Sequence, residues 1–250
     1  MSRTILITGA TAGIGAATVD VFARQGCRLI ITGRRQERLD ALVAQYDHEV
    51  LPLCFDVRDQ AEVQRQIEGL PDAWRNIDVL VNNAGLAVGL NPIQSGVVDD
   101  WERMIDTNVK GLLYVTRAVA PLMIARGQGG HIINVASIAG KEVYPNGNVY
   151  CATKHAADAL SKAMRMDLLA HKIKVTNVAP GLVETEFSVV RFKGDQNRAD
   201  NVYRGMQPLT GQDVADVIAY VASTPPHVTI NDIVVMPTAQ AASTQVLREE

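Results

Sequence analysis

Near its amino terminus the chain reads TILITGATAGIG over residues 4–15, a short apolar run followed by three closely spaced glycines. The apolar run has the length and the β-branched content of a buried strand. Residues 14–25 then show helical periodicity, and Gly26 stands where a helix C-terminal cap is expected. A glycine turn between a strand and a helix favours nucleotide binding, although a glycine triplet alone also occurs in ordinary tight turns.

The same alternation of short apolar runs and amphipathic stretches continues through the chain. Strands joined by helical crossovers run parallel and are covered on both faces, so we predict an α/β fold: a single-domain, Rossmann-type, doubly wound parallel sheet of about seven strands with helices on both faces. Within one domain over 1–250, we expect 1–135 to hold mainly the cofactor and 136–250 the catalytic groups and a substrate loop. The weakly periodic stretch 180–208 is interpreted as a long loop or small lid. The further strands are predicted at 28–32, 50–55, 78–81, 131–135, 173–178 and 233–236, and the further helices at 36–46, 60–70, 98–106, 111–125, 149–170 and 212–222.

Composition and charge exclude several classes of partner. The net charge of -3 lacks the basic excess of a general nucleic-acid or membrane-surface binder. The three cysteines are widely spaced and the five histidines show no ligand-like pairing, so we expect neither disulfides nor a metal site. No apolar run reaches the ~20 residues that cross a bilayer, and the first residues lack the features of a signal peptide. We therefore expect a cytoplasmic protein with reduced thiols and a small-molecule substrate.

The glycine turn and the end of the second predicted strand indicate which dinucleotide binds. Glycines let the backbone approach a pyrophosphate, and the N-terminus of the next helix offers unpaired N–H groups. An NAD site places an acidic residue about 20 residues further on, whereas this chain reads TGRR over 32–35. Two guanidinium groups suit the 2′-phosphate of NADP, although arginines that open a surface helix are also found simply solvated. The cofactor residues expected in these segments are Gly9, Thr11, Gly13, Ile14, Gly15, Arg34 and Arg35.

Two further strand ends carry small or polar residues. Asp56 follows the third predicted strand, where it could accept a hydrogen bond from an adenine amino group or merely end the strand. The NNAG sequence over 82–85 follows the fourth strand, where small residues would admit a ribose or form an ordinary turn. The cofactor residues expected in this second group are Asp56, Val57, Asn83, Ala84 and Gly85.

Ser137, Tyr150 and Lys154 indicate proton-transfer chemistry. Tyr150 and Lys154 are spaced by one helical turn, which places them ~6 Å apart on one helix face. A cation there favours the phenolate, so we expect Lys154 to lower the pKa of Tyr150 towards the range of general acid–base catalysis. The Ser137 hydroxyl would bond the substrate oxygen. About 0.2 chance matches to the Tyr–Lys spacing are expected in such a chain, so the assignment depends on the order of all the motifs.

In this combination the sequence resembles the short-chain dehydrogenase/reductase family over essentially its full length. The matching residues are Gly9, Gly13, Gly15, Asp56, 82–85, Asn108, Ser137, Tyr150, Lys154, Pro180 and Gly181. The resemblance implies that Asn108, Ser137, Tyr150 and Lys154 form a catalytic tetrad. In it, Asn108 would hold a water near Lys154, and Lys154 would also bond the nicotinamide ribose. The resemblance further implies a homotetramer, built on faces such as that of the helix 149–170 and on the C-terminal segment. It also implies that the nicotinamide side is lined by Pro180, Gly181, Val183 and Thr185.

A narrower resemblance concerns the substrate. The segments 33–39, 83–87, 185–188 and 190–195 are similar to those of bacterial NADP-dependent 3-hydroxy acid dehydrogenases. This implies reversible oxidation of the 3-hydroxyl of L-allo-threonine, L-serine or 3-hydroxypropionate, the last related to malonic semialdehyde. One departure is visible over 181–185, where the loop GLVET is slightly shorter than this resemblance leads us to expect.

A 3-hydroxy acid carries a carboxylate, so we expect a cation or backbone donors to bind it. Arg191 and Lys193 lie in the stretch 180–208, and Arg191 is preferred, although either could be a solvated lid charge. Two other functions stay open. One is an NADPH-dependent carbonyl reductase for a larger ketone, which would differ in the loop alone. The other is a non-catalytic NADP-binding sensor, against which the joint presence of Tyr150 and Lys154 argues.

Overall fold

The parallel sheet predicted from the sequence is confirmed. The computed structural model describes residues 2–47 and 49–249, and in them seven strands form one sheet in the order β3-β2-β1-β4-β5-β6-β7. Every neighbouring pair in this sheet is parallel. The strands are β1 (Thr4–Ile7), β2 (Arg28–Gly33), β3 (Val50–Cys54), β4 (Val79–Asn82), β5 (Gly130–Val135), β6 (Ile173–Pro180) and β7 (Asp232–Val235).

Helices cover both faces of the sheet. The α-helices of the described residues are α1 (Gly13–Arg24), α2 (Gln36–Val43), α3 (Gln60–Glu68), α4 (Val98–Ile105), α5 (Leu112–Arg126), α6 (Asn148–Asp167), α7 (Glu186–Arg191), α8 (Gln196–Asn201) and α9 (Gly211–Ser223). Apolar side chains of α1, α2 and α9 pack on one face, and those of α3, α5 and α6 on the other. Because both faces are buried, the central strands read as continuous apolar runs. Within the described part of the chain, no helix combines the length and the apolar character needed to span a membrane.

The strand order reverses between β1 and β4, which are neighbours although β2 and β3 separate them along the chain. In sheets of this kind ligands bind beyond the carboxyl ends of the strands at the reversal. The turns after β1 and β4 meet there. The hydroxyl of Thr8 accepts hydrogen bonds from the backbone N–H groups of Asn83 and Ala84, each at 3.0 Å. The fold therefore joins the glycine turn to the NNAG segment.

Two predicted helices end earlier than their periodicity suggests. The helix predicted over 36–46 ends at Val43, and the helix predicted over 149–170 ends at Asp167. After the second of these the chain forms a 3₁₀ turn, and Lys172 adopts a left-handed conformation with φ of 56° before β6. Neither ending contains glycine or proline. Since these are the residues that mark a helix end, the sequence carries no stop signal at either place.

The helices predicted over 98–106 and 111–125 are one continuous element. A π-helical turn over Asp106–Gly111 joins α4 to α5 without a break. Asn108 lies in this turn and is only 3% exposed. Because π turns inside α-helices frequently occur at functional sites, this turn draws attention to Asn108 independently of any motif.

The stretch 180–208, predicted as a loop or lid, contains the short helices α7 and α8. Thr185 caps α7 by accepting a hydrogen bond from the Phe187 backbone at 3.2 Å. Asp195 caps α8 in the same way, with the Arg198 backbone as donor at 3.0 Å. Each helix has six residues, which is too short for an amphipathic period to appear in the sequence.

Candidate active site

The glycine turn after β1 packs so closely that Gly9 and Gly15 have no room for a side chain. Gly9 and Gly13 have φ of 66° and 53°, a region that side chains disfavour. A Cβ added at Gly9 would lie 2.9 Å from the Ala84 Cα atom. A Cβ at Gly15 would lie 2.2 Å from the carbonyl oxygen of Gly9. The glycine spacing therefore follows from packing between this turn, the start of α1 and the turn after β4.

The N-terminus of α1 faces this turn without a side-chain cap. Its N-cap residue is Ala12, whose methyl group cannot accept the hydrogen bonds of the first helical N–H groups. Such N–H groups and the helix dipole favour a phosphate. Ile14 packs its side chain against the core, so a contact with a cofactor would come from its backbone. The glycine turn and α1 thus fit the pyrophosphate of a dinucleotide.

The end of β2 brings positive charge to the same region. The side chains of Arg34 and Arg35 are 67% and 41% exposed. Arg35 donates a hydrogen bond to the Thr11 hydroxyl at 3.2 Å, which connects the end of β2 to the glycine turn. Arg35 also lies 3.7 Å from Glu186 at the start of α7. The two guanidinium groups and the Thr11 hydroxyl form a donor set that fits a phosphate on the adenosine ribose.

Asp56 is already engaged by a neighbouring cation. Its carboxylate accepts a hydrogen bond from Arg58 at 2.7 Å and lies 4.0 Å from Arg34. Burial alone would raise the pKa of Asp56, but the hydrogen bonds from Arg58 outweigh it and the pKa is lowered. Val57 is turned towards the π-helical segment, where a Cβ on Gly111 would approach it to 2.7 Å. An adenine contact at Asp56 would therefore share the carboxylate with Arg58.

The NNAG segment joins the glycine turn to the predicted catalytic groups. The Asn83 amide donates hydrogen bonds to the carbonyl oxygens of Thr8 and Gly9, at 2.9 and 3.2 Å. Gly85 lies beside the catalytic groups, since a Cβ there would be 3.5 Å from Lys154 Nζ and 3.6 Å from Asn108 Oδ1. The side chain of Asn83 thus supports the turn, and Gly85 leaves space next to Lys154.

Ser137 and Tyr150 come together beyond the end of β5. Ser137 accepts a hydrogen bond from the Ala139 backbone at 3.1 Å and donates to the Pro180 carbonyl oxygen at 3.4 Å. Tyr150 lies in the first turn of α6 and is 8% exposed. Its ring packs beside Phe187 of α7, with centroids 5.9 Å apart. The hydroxyls predicted to face the substrate therefore lie under the segment 180–208.

The pKa of Tyr150 moves in the direction opposite to our prediction. Burial is the main cause and raises the pKa of Tyr150 well above its usual range, and Tyr144 adds to this effect. The Ser137 hydroxyl and the Arg191 guanidinium act in the lowering direction, but their effect is smaller. The expectation of a lowered pKa is therefore wrong for the chain by itself, because the spacing of residues does not reveal how deeply the phenol is buried.

Lys154 is buried beside the phenol. Its Nζ atom donates a hydrogen bond to the Val135 carbonyl oxygen at 3.0 Å and lies 5.9 Å from the centroid of the Tyr150 ring. Burial lowers the pKa of Lys154 to about 8, because the ammonium loses its hydration. The predicted pair on one helix face is present, and its lysine can gain or lose a proton close to neutral pH.

Asn108 is held on two sides by hydrogen bonds. Its carbonyl oxygen accepts from the Leu86 backbone N–H at 2.7 Å, and its amide donates to the Leu86 carbonyl oxygen at 2.8 Å. The amide also donates to the Thr153 hydroxyl at 3.0 Å, and Thr153 donates to the Tyr150 carbonyl oxygen at 2.8 Å. Asn108 therefore connects α6 to the segment after β4, next to Lys154.

Arg191 faces the predicted catalytic tyrosine, whereas Lys193 does not. The guanidinium carbon of Arg191 lies 5.5 Å from the centroid of the Tyr150 ring, and its Nη2 donates to the Tyr144 hydroxyl at 2.9 Å. Its Nε atom is buried without a hydrogen-bond partner among the described residues. Lys193 Nζ instead lies 2.8 Å from the Asp100 carboxylate. The pocket that Arg191 and Tyr150 line thus has a cation with spare donor capacity.

The segment after β6 closes the other side of the site. Gly181 lies against Gln240, whose side-chain oxygen accepts a hydrogen bond from the Leu182 backbone at 2.8 Å. Val183 forms a parallel bridge with Leu209. Thr185 packs on the glycine turn, since a Cβ on Gly13 would approach its methyl group to 3.1 Å. Pro180 accepts the hydrogen bond from Ser137 at the catalytic side. The segment 180–185 therefore connects the predicted catalytic residues to the predicted cofactor site.

Comparison with known proteins identifies the family. A family model described as short chain dehydrogenase matches residues 3–196. The chain is a short-chain dehydrogenase. The NADP-dependent 3-hydroxy acid dehydrogenase YdfG of Salmonella typhi is 48% identical over 95% of this chain and 96% of its own length. Serine 3-dehydrogenase of Rhizobium radiobacter is 45% identical over 100% of both chains. The closed form of serine dehydrogenase complexed with NADP+ superposes with a TM-score of 0.94 at 45% identity, covering 99% of this chain and 100% of that chain.

The family inferred from the motifs is thereby confirmed, and the structure adds residues that the sequence did not indicate. In this short-chain dehydrogenase Tyr144 accepts a hydrogen bond from Arg191, and its partly buried ring packs against the apolar cluster around Tyr150. Trp101 and Asp100 line the same pocket from α4. No local motif marks these residues, because they reach the site through the packing of α4 and of the turn before α6.

Proposed function

We propose that the chain is an NADP-dependent oxidoreductase that reversibly oxidises the 3-hydroxyl of small 3-hydroxy acids, such as L-allo-threonine, L-serine and 3-hydroxypropionate, and reduces malonic semialdehyde. The observation that carries this proposal is the position of the Arg191 guanidinium, 5.5 Å from the Tyr150 ring in a small pocket. A carboxylate on that guanidinium places a 3-hydroxyl at the phenol. The names of the relatives support the same substrate class.

NADP fits the cofactor side of the site. The glycine turn suits the pyrophosphate, and Arg34, Arg35 and the Thr11 hydroxyl supply the donors for a 2′-phosphate. The end of β2 offers no carboxylate to bind an unphosphorylated ribose. When bound, the nicotinamide supplies the acceptor or donor of the hydride. The relative described as complexed with NADP+ supports this choice of cofactor.

The chain's own residues handle the proton. In oxidation Tyr150 Oη takes the proton of the substrate hydroxyl as its own phenolic proton leaves towards Lys154, and in reduction both transfers reverse. The Ser137 hydroxyl donates a hydrogen bond to the same substrate oxygen, where charge develops. Lys154 Nζ passes the proton onwards, and Asn108, which borders Gly85 together with Lys154, would hold a water that takes part in this relay. Burial of Tyr150 excludes bulk water from this exchange.

A substrate panel tests the proposal. L-allo-threonine, L-serine, 3-hydroxypropionate, 1,3-propanediol and a bulky secondary alcohol are compared with NADP+ and with NAD+ by the absorbance of the reduced cofactor. We expect turnover with NADP+ and the hydroxy acids. Faster turnover of the bulky alcohol would favour the carbonyl reductase for a larger ketone. Binding of NADP+ without turnover of any alcohol would favour the sensor.

The Arg191→Met variant tests the carboxylate contact. We expect its KM for 3-hydroxypropionate to rise at least about tenfold, because a charge-assisted hydrogen bond is lost, while KM for 1,3-propanediol stays within about twofold. Arg198→Met is the matched control, because the Arg198 guanidinium packs over Phe192 at 4.5 Å in the same segment. Equal losses for the acid and the diol would remove the assignment of Arg191.

The proposal also covers the assembly and the setting of the enzyme. A single domain over 1–250 acts as a homotetramer in the cytoplasm. Met166 near the end of α6 and Leu169 in the 3₁₀ turn that follows it are apolar and 71% and 73% exposed, which supports an interface on this part of the surface. Cys27, Cys54 and Cys151 are free thiols, which suits a reducing compartment. Light scattering of the purified protein measures the number of subunits.

A further inference from the structure

The turn between α7 and α8 carries two cations that face different partners. Arg191 is the last residue of α7 and faces Tyr150, and two positions later Lys193 bonds Asp100 of α4. We propose that Asp100 is a positioning residue for substrate binding, a proposal that rests on the function proposed above. By holding Lys193, Asp100 fixes the turn that aims Arg191 at Tyr150.

The backbone of this turn ends α7 with hydrogen bonds of its own, from the Lys193 N–H to the Val190 carbonyl oxygen at 3.1 Å and from the Gly194 N–H to the Val189 carbonyl oxygen at 2.9 Å. Lys193 and Gly194 have φ of 55° and 94°, so two successive residues adopt conformations that L side chains rarely take. A lysine in the left-handed region persists where surrounding contacts determine it. The contact made by the Lys193 side chain itself is the ion pair with Asp100, with 2.8 Å between Nζ and Oδ2. The left-handed backbone at Lys193 therefore directs its side chain to Asp100, and the ion pair in turn stabilises that backbone conformation.

Asp100 is placed to act as a fixed anchor. Its side chain is 5% exposed, in the first turn of α4, whereas that of Lys193 is 53% exposed. The Asp100 carboxylate packs against Gly89, where an added Cβ would lie 2.8 Å from Oδ2. A second contact of this carboxylate, with the Arg103 guanidinium, is looser at 4.0 Å. The buried member of the ion pair is therefore the carboxylate on α4, and the half-exposed lysine reaches it from the turn.

A second contact holds the turn close to Arg191, and it comes from the segment between β4 and α4. The backbone N–H of Gly89 donates a hydrogen bond to the Arg191 carbonyl oxygen at 3.0 Å. Gly89, Asp100, Tyr150 and Arg191 all line one pocket. The turn is therefore held on both sides of Phe192, by a backbone bond at 191 and by the ion pair at 193. Loss of the ion pair leaves Arg191 held by this backbone bond and by the hydrogen bond from its guanidinium to Tyr144, neither of which fixes the backbone at 193.

The proposal predicts a loss that depends on the charge of the substrate. Asp100 contributes no donor to a carboxylate, so its effect reaches the substrate through the direction of the Arg191 guanidinium. A substrate with an anionic group should lose affinity when the ion pair is removed. A neutral alcohol, which does not use Arg191, should not. A merely structural role of Asp100 in α4 would affect both substrates alike.

A double-mutant cycle tests this with the full-length protein. The variants are Asp100→Asn, Lys193→Asn and the double variant; asparagine is chosen at 193 because it tolerates positive φ. KM and kcat are measured for 3-hydroxypropionate and for 1,3-propanediol, and NADPH binding by fluorescence confirms that each variant is folded. We expect each single variant to raise KM for the acid about tenfold and the double variant to raise it no further, because the two residues act as one unit.

Lys172→Asn is the matched control, since Lys172 is exposed and also has positive φ, 56°, but lies before β6. It should leave both KM values unchanged. Independent effects of the two single variants that multiply in the double variant would overturn the proposal, as would equal effects on acid and diol. If Arg191→Met changes the preference for the acid but the cycle does not, Asp100 is excluded while the proposed function stands. If Arg191→Met has no such effect, the carboxylate site itself is wrong.

Discussion

At the scale of single residues, Arg191 has two tyrosine neighbours, Tyr150 and Tyr144. Mutation of each tyrosine in turn distinguishes proton transfer from the positioning of Arg191. We expect Tyr150→Phe to lower kcat by about 10²–10⁴, because the group that exchanges the proton is lost, with NADPH affinity unchanged. Tyr144→Phe is the matched control. It removes the acceptor of the Arg191 hydrogen bond and should change KM for the acid more than kcat. A Tyr150→Phe enzyme with turnover near that of the wild type would refute the proposed chemistry.

Lys154 illustrates a conflict between stability and activity at one residue. Burial lowers its pKa from 10.5 to about 8, so burying the ammonium costs up to about 3 kcal/mol at neutral pH. Its hydrogen bond to Val135 offsets part of this cost. We therefore expect Lys154→Met to raise the free energy of unfolding at pH 7 by about 1–2 kcal/mol and to reduce kcat strongly. Denaturant unfolding and steady-state kinetics measure the two effects.

The sign of the pH dependence provides a check on the same variant. Below pH 8 Lys154 is protonated in both the folded and the unfolded states, so the cost of burial is fully present. Between about 8 and 10.5 only the unfolded state holds the proton, and the wild type gains stability relative to the variant as pH rises. If the difference in free energy of unfolding between Lys154→Met and the wild type stayed constant from pH 7 to pH 10, this account would be contradicted.

Some residue-level features were readable from the sequence and others were not. The positions of Ser137, Tyr150 and Lys154 follow from strand ends and helix spacing, and the structure brings them together. The pKa of Tyr150 was predicted with the wrong sign, because burial depends on the tertiary packing of α7 and of the turn before α6. Arg191 was preferred over Lys193, but its aim depends on the left-handed backbone at 193, which no local pattern indicates.

At the scale of elements, the turn into α1 depends on a close approach that a methyl group prevents. A Cβ on Gly15 would lie 2.2 Å from the Gly9 carbonyl oxygen, so we expect Gly15→Ala to weaken NADPH binding at least about 100-fold by displacing the turn. Gly26→Ala is the control, because nothing lies within 4 Å of its added Cβ although φ is 68°. That variant should lower thermal stability alone. Fluorescence titration below both melting temperatures compares them, and equal affinities would contradict the prediction.

Strand β5 contains a histidine that should make stability depend on pH. Burial, with smaller effects of Lys174 and Arg3, lowers the pKa of His131 from 6.5 to about 3. Its Nε2 is 2.7 Å from the Thr176 hydroxyl, and Nδ1 has no partner among the described residues. Between pH 6.5 and 3 only the unfolded state takes up the proton, so stability falls as pH falls.

We expect this histidine to remove about 2 kcal/mol of stability between pH 7.5 and 5.0. The measurement is the free energy of unfolding at the two pH values for the wild type and for His131→Gln. Whatever its stability at pH 7.5, the variant should lose less free energy of unfolding than the wild type when the pH falls to 5.0. Parallel pH profiles of the two proteins would show that His131 is not responsible.

The elements that the sequence missed are hidden for two physical reasons. The π turn around Asn108 joins two stretches that each have helical periodicity, so the pattern shows two helices and hides how they are connected. Helices α7 and α8 are too short to show a period at all. Long elements with a buried face were predicted to within a few residues, because burial on the sheet imposes the pattern from which they are read.

At the scale of the whole molecule, the proposed tetramer predicts which surface change separates subunits. Met166 and Leu169 are the most exposed apolar side chains at the end of α6 and in the 3₁₀ turn that follows it. We expect Met166→Glu with Leu169→Glu to reduce the mass measured by light scattering, because an introduced charge cannot be buried in an apolar interface. Ile93→Glu, at a position 59% exposed outside α6, is the control. An unchanged mass for the double variant would place the interface elsewhere.

The sequence predicts the overall architecture more completely than it predicts the residues that line the site. Parallel pairing, right-handed crossovers and the position of the crevice follow from the alternation of strands and helices. Tyr144, Asp100 and Gln240 reach the site from distant parts of the chain, and only the assembled fold reveals their contacts. The order of strands and helices along the chain determines where the crevice forms. Which side chains line the crevice, and so which substrate it accepts, depends on tertiary packing.

The order of strands has a consequence for synthesis on the ribosome. β1 finds its partner β4 only when Val79 has been made, and the outer edge of β6, whose other edge pairs with β5, stays unpaired until Asp232 and the rest of β7 emerge. During that interval β6, with eight residues, is the edge strand and presents free N–H and carbonyl groups. A polypeptide stalled before residue 232 would keep this longer edge open to another copy, whereas the finished chain ends its sheet on β7, an edge strand of only four residues.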